Sequence, residues 1–295
     1  MLAARRVRAL ATFLLVSVTA CHGQRASGSA KPRVSPATPS PEFCGRSPCR
    51  IFASDAAAFR AVLDARPRVL GVGEAHALSG SHGVEPTVRR FQRDLLPVLK
   101  GRASDLVVEV MLPNPSCARE TEAAREEQKV VTERQAATNK DDYVALANAA
   151  SALGIRPHPL RPTCDDLSRI AKAGPDAVLV SLEVVTRLCV ETLTHLVDAA
   201  AAAHDDRLVV AYGGLMHNDI DPRPDHARYS YGPVMREKTK GAYVELDLIV
   251  PELIADTPAW RGLPWLDGFD RTAHAREARL LSPVDKGFVI LFAGG

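Results

Sequence analysis

The 295-residue chain has no excess of charge of either sign: 37 Lys and Arg stand against 35 Asp and Glu, a net charge of +2. No dense Lys/Arg face is present, which argues against nucleic acid as a partner. The N-terminal apolar run, Ala9–Val18, is too short for a comfortable membrane span. No repeat of domain size and no second internal linker interrupts the sequence. None of the 6 cysteines has Cys-x-x-Cys spacing, which weakens a cysteine-based metal site.

What is present first reads as an address. Arg5, Arg6 and Arg8 form a basic segment before the short apolar run, as in a signal peptide over residues 1–21. The run closes on Val18-Thr19-Ala20-Cys21, which resembles the lipobox of bacterial lipoproteins. Cleavage there leaves Cys21 as a lipidated N-terminus. The expected location is the bacterial cell envelope, with the outer membrane favoured. The plainer alternative is an ordinary signal peptide with a chance cysteine, or an uncleaved anchor. Residues 22–42 are rich in Ser, Pro, Ala and Gly without apolar periodicity, and read as a flexible tether. Residues 43–295 then suit one α/β domain with a sizeable core. In an oxidising compartment Cys44 and Cys49, around a short loop, form the first candidate disulfide. Cys117 and Cys164, each after a strand and a Pro-containing loop, form the second. Cys189, in an apolar helical stretch, reads as a buried free thiol.

Strand and helix signals alternate, which predicts a mostly parallel central sheet with helices on both faces. Strands are expected at 69–72, 105–110, 155–160, 208–211, 243–249 and 287–292. Pro157 and Pro159 make the third of these an edge. Residues 51–65 form an amphipathic stretch, and 84–99, 165–173 and 176–203 read as helical. Residues 120–152 read as one long helical region; its charged first half reads as a solvated face, outside any site.

The pattern that carries chemistry is Gly-x-x-His, found twice at strand ends: Gly73-Glu74-Ala75-His76 and Gly214-Leu215-Met216-His217. In open α/β sheets, ligands bind beyond the carboxyl ends of strands. Taken singly, either histidine reads equally well as a hydrogen-bonded loop residue; two independent matches strengthen the reading of a site. Glu109, inside an apolar strand, is costly to bury unpaired and points the same way. Glu74, His76, Glu109 and His217 are therefore the candidate catalytic set. Carboxylate and imidazole suit a divalent ion (Mn, Co or Zn), with Glu74, His76 and His217 as ligands, and equally a general base. His82 and Tyr229 are the candidate cofactor-binding residues. His158, between two prolines, reads as a surface loop residue.

The blocks Leu70-Gly-Val-Gly-Glu-Ala-His76, Val107-Val-Glu-Val-Met111 and Tyr212-Gly-Gly-Leu-Met-His217 resemble the superfamily of ChaN-like haem-binding lipoproteins, TIKI/TraB-type proteins and erythromycin esterases. The resemblance implies a ChaN/TIKI-like α/β fold. Gly73, Glu74 and His76 match its Gly-Glu-x-His block, Glu109 its acidic strand end, and Gly214 and His217 its second Gly-x-x-His. It implies a metal-dependent peptidase on one branch, a metal-free esterase on another, and a haem- or iron-binding lipoprotein on a third. Partners would be a membrane, through Cys21, and a small-molecule or peptide ligand. The chain departs from the pattern at Ala77-Leu78-Ser79-Gly80-Ser81, where an Asn-Pro-Asp-type loop is usual.

Overall fold

The computed structural model describes residues 42–44, 47–81, 83–112, 114–254, 257–263, 265–266 and 277–294, with backbone alone at 42–44, 47 and 258–259. The readings of the signal peptide, of Cys21, of the tether up to residue 41 and of His82 lie outside these residues, as does the Cys44 side chain.

Short runs of β-branched and aliphatic residues set the sheet. Its strands and helices follow in order: β1 (Glu42–Cys44), β2 (Ser47–Phe52), α1 (Asp55–Leu63), β3 (Val69–Glu74) and α2 (Thr87–Arg90). The helix continues through one π turn and one 3₁₀ turn to Leu99. Then come β4 (Ala103–Met111), α3 (Ala118–Thr132), α4 (Asn139–Ala152), β5 (Arg156–Leu160), α5 (Cys164–Lys172) and α6 (Ala177–Ala202). The chain ends with β6 (Leu208–Gly214), α7 (Leu215–Asn218), α8 (Gly232–Lys238), β7 (Tyr243–Ile249), β8 (Ala278–Val284) and β9 (Gly287–Leu291).

These strands form one sheet in the order β1-β2-β8-β9-β7-β3-β6-β4-β5. From β9 to β5 all neighbours are parallel, and β8, β2 and β1 add antiparallel partners beyond β9. The fold is thus α/β, mostly parallel, with helices around the sheet. β5 is an edge strand, where its prolines remove no ladder bond. All six residues of β3 are buried, as expected of a strand covered on both sides. Leu70, Val72, Leu106, Val108, Val210 and Tyr212 point to one face and pack with α1, α2 and α4. Val69, Val107, Val209 and Ala211 point to the other, against α3, α5, α6 and α8. Each such aliphatic side chain contributes about 1.5–3 kcal/mol when fully buried.

Two expectations are corrected here. Ile51 and Phe52 belong to β2, and the helix begins only at Asp55, capped by the Ser54 hydroxyl, which accepts from Ala57 N–H. The long helical region breaks at residues 133–138 into α3 and α4. No glycine or proline marks that break. It is made by tertiary pairing: Ser79 N–H donates to the Arg134 carbonyl (2.9 Å) and Ala136 N–H to the Ala77 carbonyl (2.8 Å). The segment after β3 is thereby fastened to the turn between the two helices.

The chain leaves β3 through α2 on the first face, crosses β6 and enters β4. It leaves β6 through α8 on the second face and enters β7. Connections that part to opposite faces open a crevice at the carboxyl ends of the adjoining strands. Glu74, His76, Glu109 and His217 stand at that crevice.

Candidate active site

Glu74 ends β3 on the face shared with Tyr212 and α4. Its carboxylate is buried and accepts from the Tyr143 hydroxyl (2.8 Å), the Tyr212 hydroxyl (2.6 Å) and His76 Nδ1–H (3.0 Å). Burial, with the nearby Glu74 charge, holds both phenols well above their ordinary range, so they remain donors. Because a carboxylate only accepts, the Glu74 contact assigns the proton of neutral His76 to Nδ1. Nε2 then carries the lone pair. Burial alone would lower the His76 pKa, but the hydrogen bond and charge of Glu74 and the charge of Glu109 outweigh it, and the net shift is upward.

Glu109 and His217 come from the other face. On β4, Glu109 projects towards β6, where a Cβ on Gly213 would overlap its carboxylate. Glycine at 213 makes the slot, and Gly214 N–H donates to Glu109 Oε2 (2.6 Å). A Cβ on Gly214 would lie 3.2 Å from His76 Nε2 and 3.7 Å from Glu109 Oε2, so both atoms face the same point. His217 Nδ1–H donates to the Tyr229 carbonyl (2.8 Å), with the Thr186 hydroxyl 3.0 Å away and also donating to that carbonyl. His217 Nε2 lies 3.5 Å from Glu109 Oε1. The four residues expected to form a site are thus brought together: Glu74 behind His76, and His217 behind Glu109.

The two Gly-x-x-His matches play unlike parts. His76 lies in extended chain after β3, whereas His217 sits on the single turn α7. Gly71 and Gly73 serve packing, since a Cβ on either would overlap Tyr243 or Asn218. Asn218 Nδ2 donates to Asp247 Oδ1 (3.0 Å), and Tyr243 OH donates to the Asn218 carbonyl (2.5 Å). Those contacts fix α7 and with it His217. Burial first, then neighbouring carboxylates, raises the acids of the adjoining Glu245–Asp247 pair.

A cavity of about 340 Å³ opens beside His76, Glu109 and Tyr143. Its walls include Met111, Leu112, Leu167 and Ile170, with Thr121 and Gln128 of α3 opposite. The charged half of the helical region is therefore a cavity wall, contrary to the sequence reading, although Ala124 alone of α3 is buried. Cys117 and Cys164 form a disulfide that ties the start of α3 to that of α5. Cys49 is also disulfide-bonded. Cys189 is free and buried; burial, with the charge of Glu109, raises its thiol.

Other candidates fall elsewhere. The Tyr229 side chain is buried beneath the Arg228 guanidinium (4.8 Å) and does not line the cavity; its carbonyl, not its hydroxyl, serves the site. His158 belongs to β5 rather than a surface loop, with Nε2 2.7 Å from buried Asp105. Tyr143, Tyr212 and Thr186 were not foreseen. Tyr143 could have been suspected as the lone aromatic in an Ala-rich helix.

The Nε2 atoms of His76 and His217 and the Glu109 carboxylate have the donor chemistry a divalent ion needs. As placed, however, no three His, Cys, Asp or Glu side chains among the described residues form a group able to hold one. Glu74 is engaged by three donors and lies outside the cavity lining.

No protein-family model matches the chain, and no characterised protein sequence matches it. Among solved structures, the type III effector HopBA1 is similar at 12% identity and a TM-score of 0.37, over 68% of this chain and 86% of that one. A likeness that low bears on neither site nor function.

Proposed function

We propose that the domain is a hydrolase of esters or amides whose general base is His76, held by Glu74, and that Cys21 tethers it by lipid to the cell envelope. The observation that carries the chemistry is the buried Glu74 carboxylate on His76 Nδ1, with Nε2 left to face a cavity. Nε2 takes a proton from water as it adds to the substrate carbonyl. Glu74 stabilises the imidazolium that forms, and the two tyrosines keep Glu74 in place. Glu109, backed by His217 and Gly214 N–H, lies where it can hold or return a proton at the leaving group. Such proton transfer contributes about 10²–10⁴-fold. The strand-end blocks resembling erythromycin esterases agree with this reading, and the Val-Thr-Ala-Cys21 segment supports the address.

The test is hydrolysis of p-nitrophenyl butyrate by wild type and His76→Gln, with and without chelator. The expected result is turnover that survives chelation and falls at least about 10²-fold in His76→Gln, with an unchanged unfolding midpoint. Activity equal in the two proteins overturns the proposal. Activity lost on chelation and restored by Mn or Zn replaces the metal-free base with a metal centre.

A further inference from the structure

The cavity has one chemistry at its reacting end and another along its walls. Among the described residues Glu109 is the sole carboxylate lining it, and that carboxylate is already engaged by Gly214 N–H and His217. Two cations line it as well. Arg125 is paired with Glu122 (2.7 Å), whereas Lys140 is exposed and forms no ion pair among the described residues. Lys140 stands three positions before Tyr143 on α4, so the two side chains share a helix face. The Tyr143 hydroxyl is 3.2 Å from His76 Nδ1. The Lys140 side chain is thus rooted one helical turn, ~5 Å, from that of Tyr143, whose hydroxyl reaches the His76 ring. On α3, Thr121 lines the same cavity, with its Oγ1 buried and without a partner among the described residues. Met111, Leu112, Leu167 and Ile170 make one apolar wall, and Gln128, Thr132, Gln135 and Asn139 add neutral polar groups elsewhere in the lining.

Building on the hydrolase reading, we propose that the substrate is an N-acyl amino acid: a scissile amide flanked by a short apolar acyl chain and by a free carboxylate. Lys140 binds the carboxylate, and the acyl chain lies on the Met111–Ile170 wall. One water is consumed per amide. Its oxygen bonds to the carbonyl carbon, the C–N bond breaks, and the proton taken by His76 goes to the leaving nitrogen. The second water proton, left on the new carboxyl group, passes by way of Glu109 to the freed amine. The products are the acyl carboxylate and the ammonium form of the amino acid.

The experiment compares release of hexanoate from N-hexanoyl-L-alanine and from its neutral counterpart N-hexanoyl-L-alaninamide by the full-length chain. The expected result is a kcat/KM about tenfold higher for the acid, the value of one charge-assisted hydrogen bond. In Lys140→Met the ratio falls to about one, and in Lys140→Arg it is kept. Equal kcat/KM for the two compounds, or a preference that survives in Lys140→Met, overturns the proposal. If neither compound is cleaved, the hydrolase reading falls, and the same pair is titrated calorimetrically. Tighter binding of the acid that depends on Lys140 then upholds the carboxylate site without turnover; equal or undetectable binding overturns it.

Discussion

Glu74→Gln isolates the charge of the buried carboxylate while keeping its shape. Glu74 accepts from Tyr143, Tyr212 and His76 at 2.6–3.0 Å. The amide offers one acceptor oxygen and an NH₂ group that cannot accept. A tyrosine hydroxyl can rotate to receive that NH₂; His76 Nδ1–H cannot. The bond to the forming imidazolium therefore loses its charge assistance, and with the NH₂ facing the ring it is lost altogether, about 1.5–3 kcal/mol. At about 1.4 kcal/mol per tenfold, kcat/KM falls about 10- to 10²-fold. The pH profile supplies an independent readout. In wild type the ascending limb lies above the ordinary imidazole value of 6.5, because Glu74 and Glu109 together outweigh burial. In Glu74→Gln it moves to lower pH. Stability follows the same sign: a raised imidazole pKa adds stability below the unfolded-state value and loses it as pH rises through the folded-state value. The wild-type advantage over the variant thus shrinks from acid to alkaline pH. A Glu74→Gln protein with wild-type kcat/KM, or with its limb moved upward, refutes the reasoning.

Gly213→Ala sets a Cβ into the Glu109 carboxylate; overpacking of this kind costs about 1–3 kcal/mol, read as a lower urea midpoint, and an unchanged midpoint contradicts the geometry. Replacing Cys117 and Cys164 together by Ser opens a loop of sequence separation 47 and lowers stability by about 2–4 kcal/mol in guanidinium unfolding. Asp247 is raised above its ordinary 3.8, by burial first and then by Asp219, against the Asn218 hydrogen bond. Its stabilising contribution is complete below that ordinary value and is lost as pH rises through the folded-state value. Asp247→Asn, which keeps an acceptor for Asn218, should therefore lose less stability than wild type between about pH 5 and pH 9; an equal loss removes Asp247 as the cause.

Part of the sheet was legible because a parallel strand covered on both faces appears as a continuous apolar run, as at Val69–Val72, and Tyr243–Ile249 because Val244, Leu246 and Leu248 alternate with Glu245 and Asp247. Glu109 was legible for the opposite reason, as a charge inside such a run. β2 and β8 were missed: one merges with the amphipathic pattern leading into α1, and the other carries Ser282 and Pro283. The break between α3 and α4 has no local signal, since backbone bonds from residues 77–79 make it. The same holds for the groups that orient the site. Tyr143, Tyr212, Thr186 and the Tyr229 carbonyl reach it from elements distant in sequence, so spacing along the chain does not register them. The repeated Gly-x-x-His pattern located the crevice, yet the glycines at 71 and 73 serve α7 packing and those at 213 and 214 admit Glu109.

The central claim is that Glu74 fixes His76 with its proton on Nδ1 and its lone pair on Nε2, facing the cavity. Long-range ¹⁵N–¹H correlation of the histidine rings across a pH titration reads it without any substrate. The expected result is an Nδ1–H tautomer for His76 and a titration midpoint above 6.5 that falls in Glu74→Gln. An Nε2–H tautomer, or a midpoint indifferent to Glu74→Gln, contradicts it.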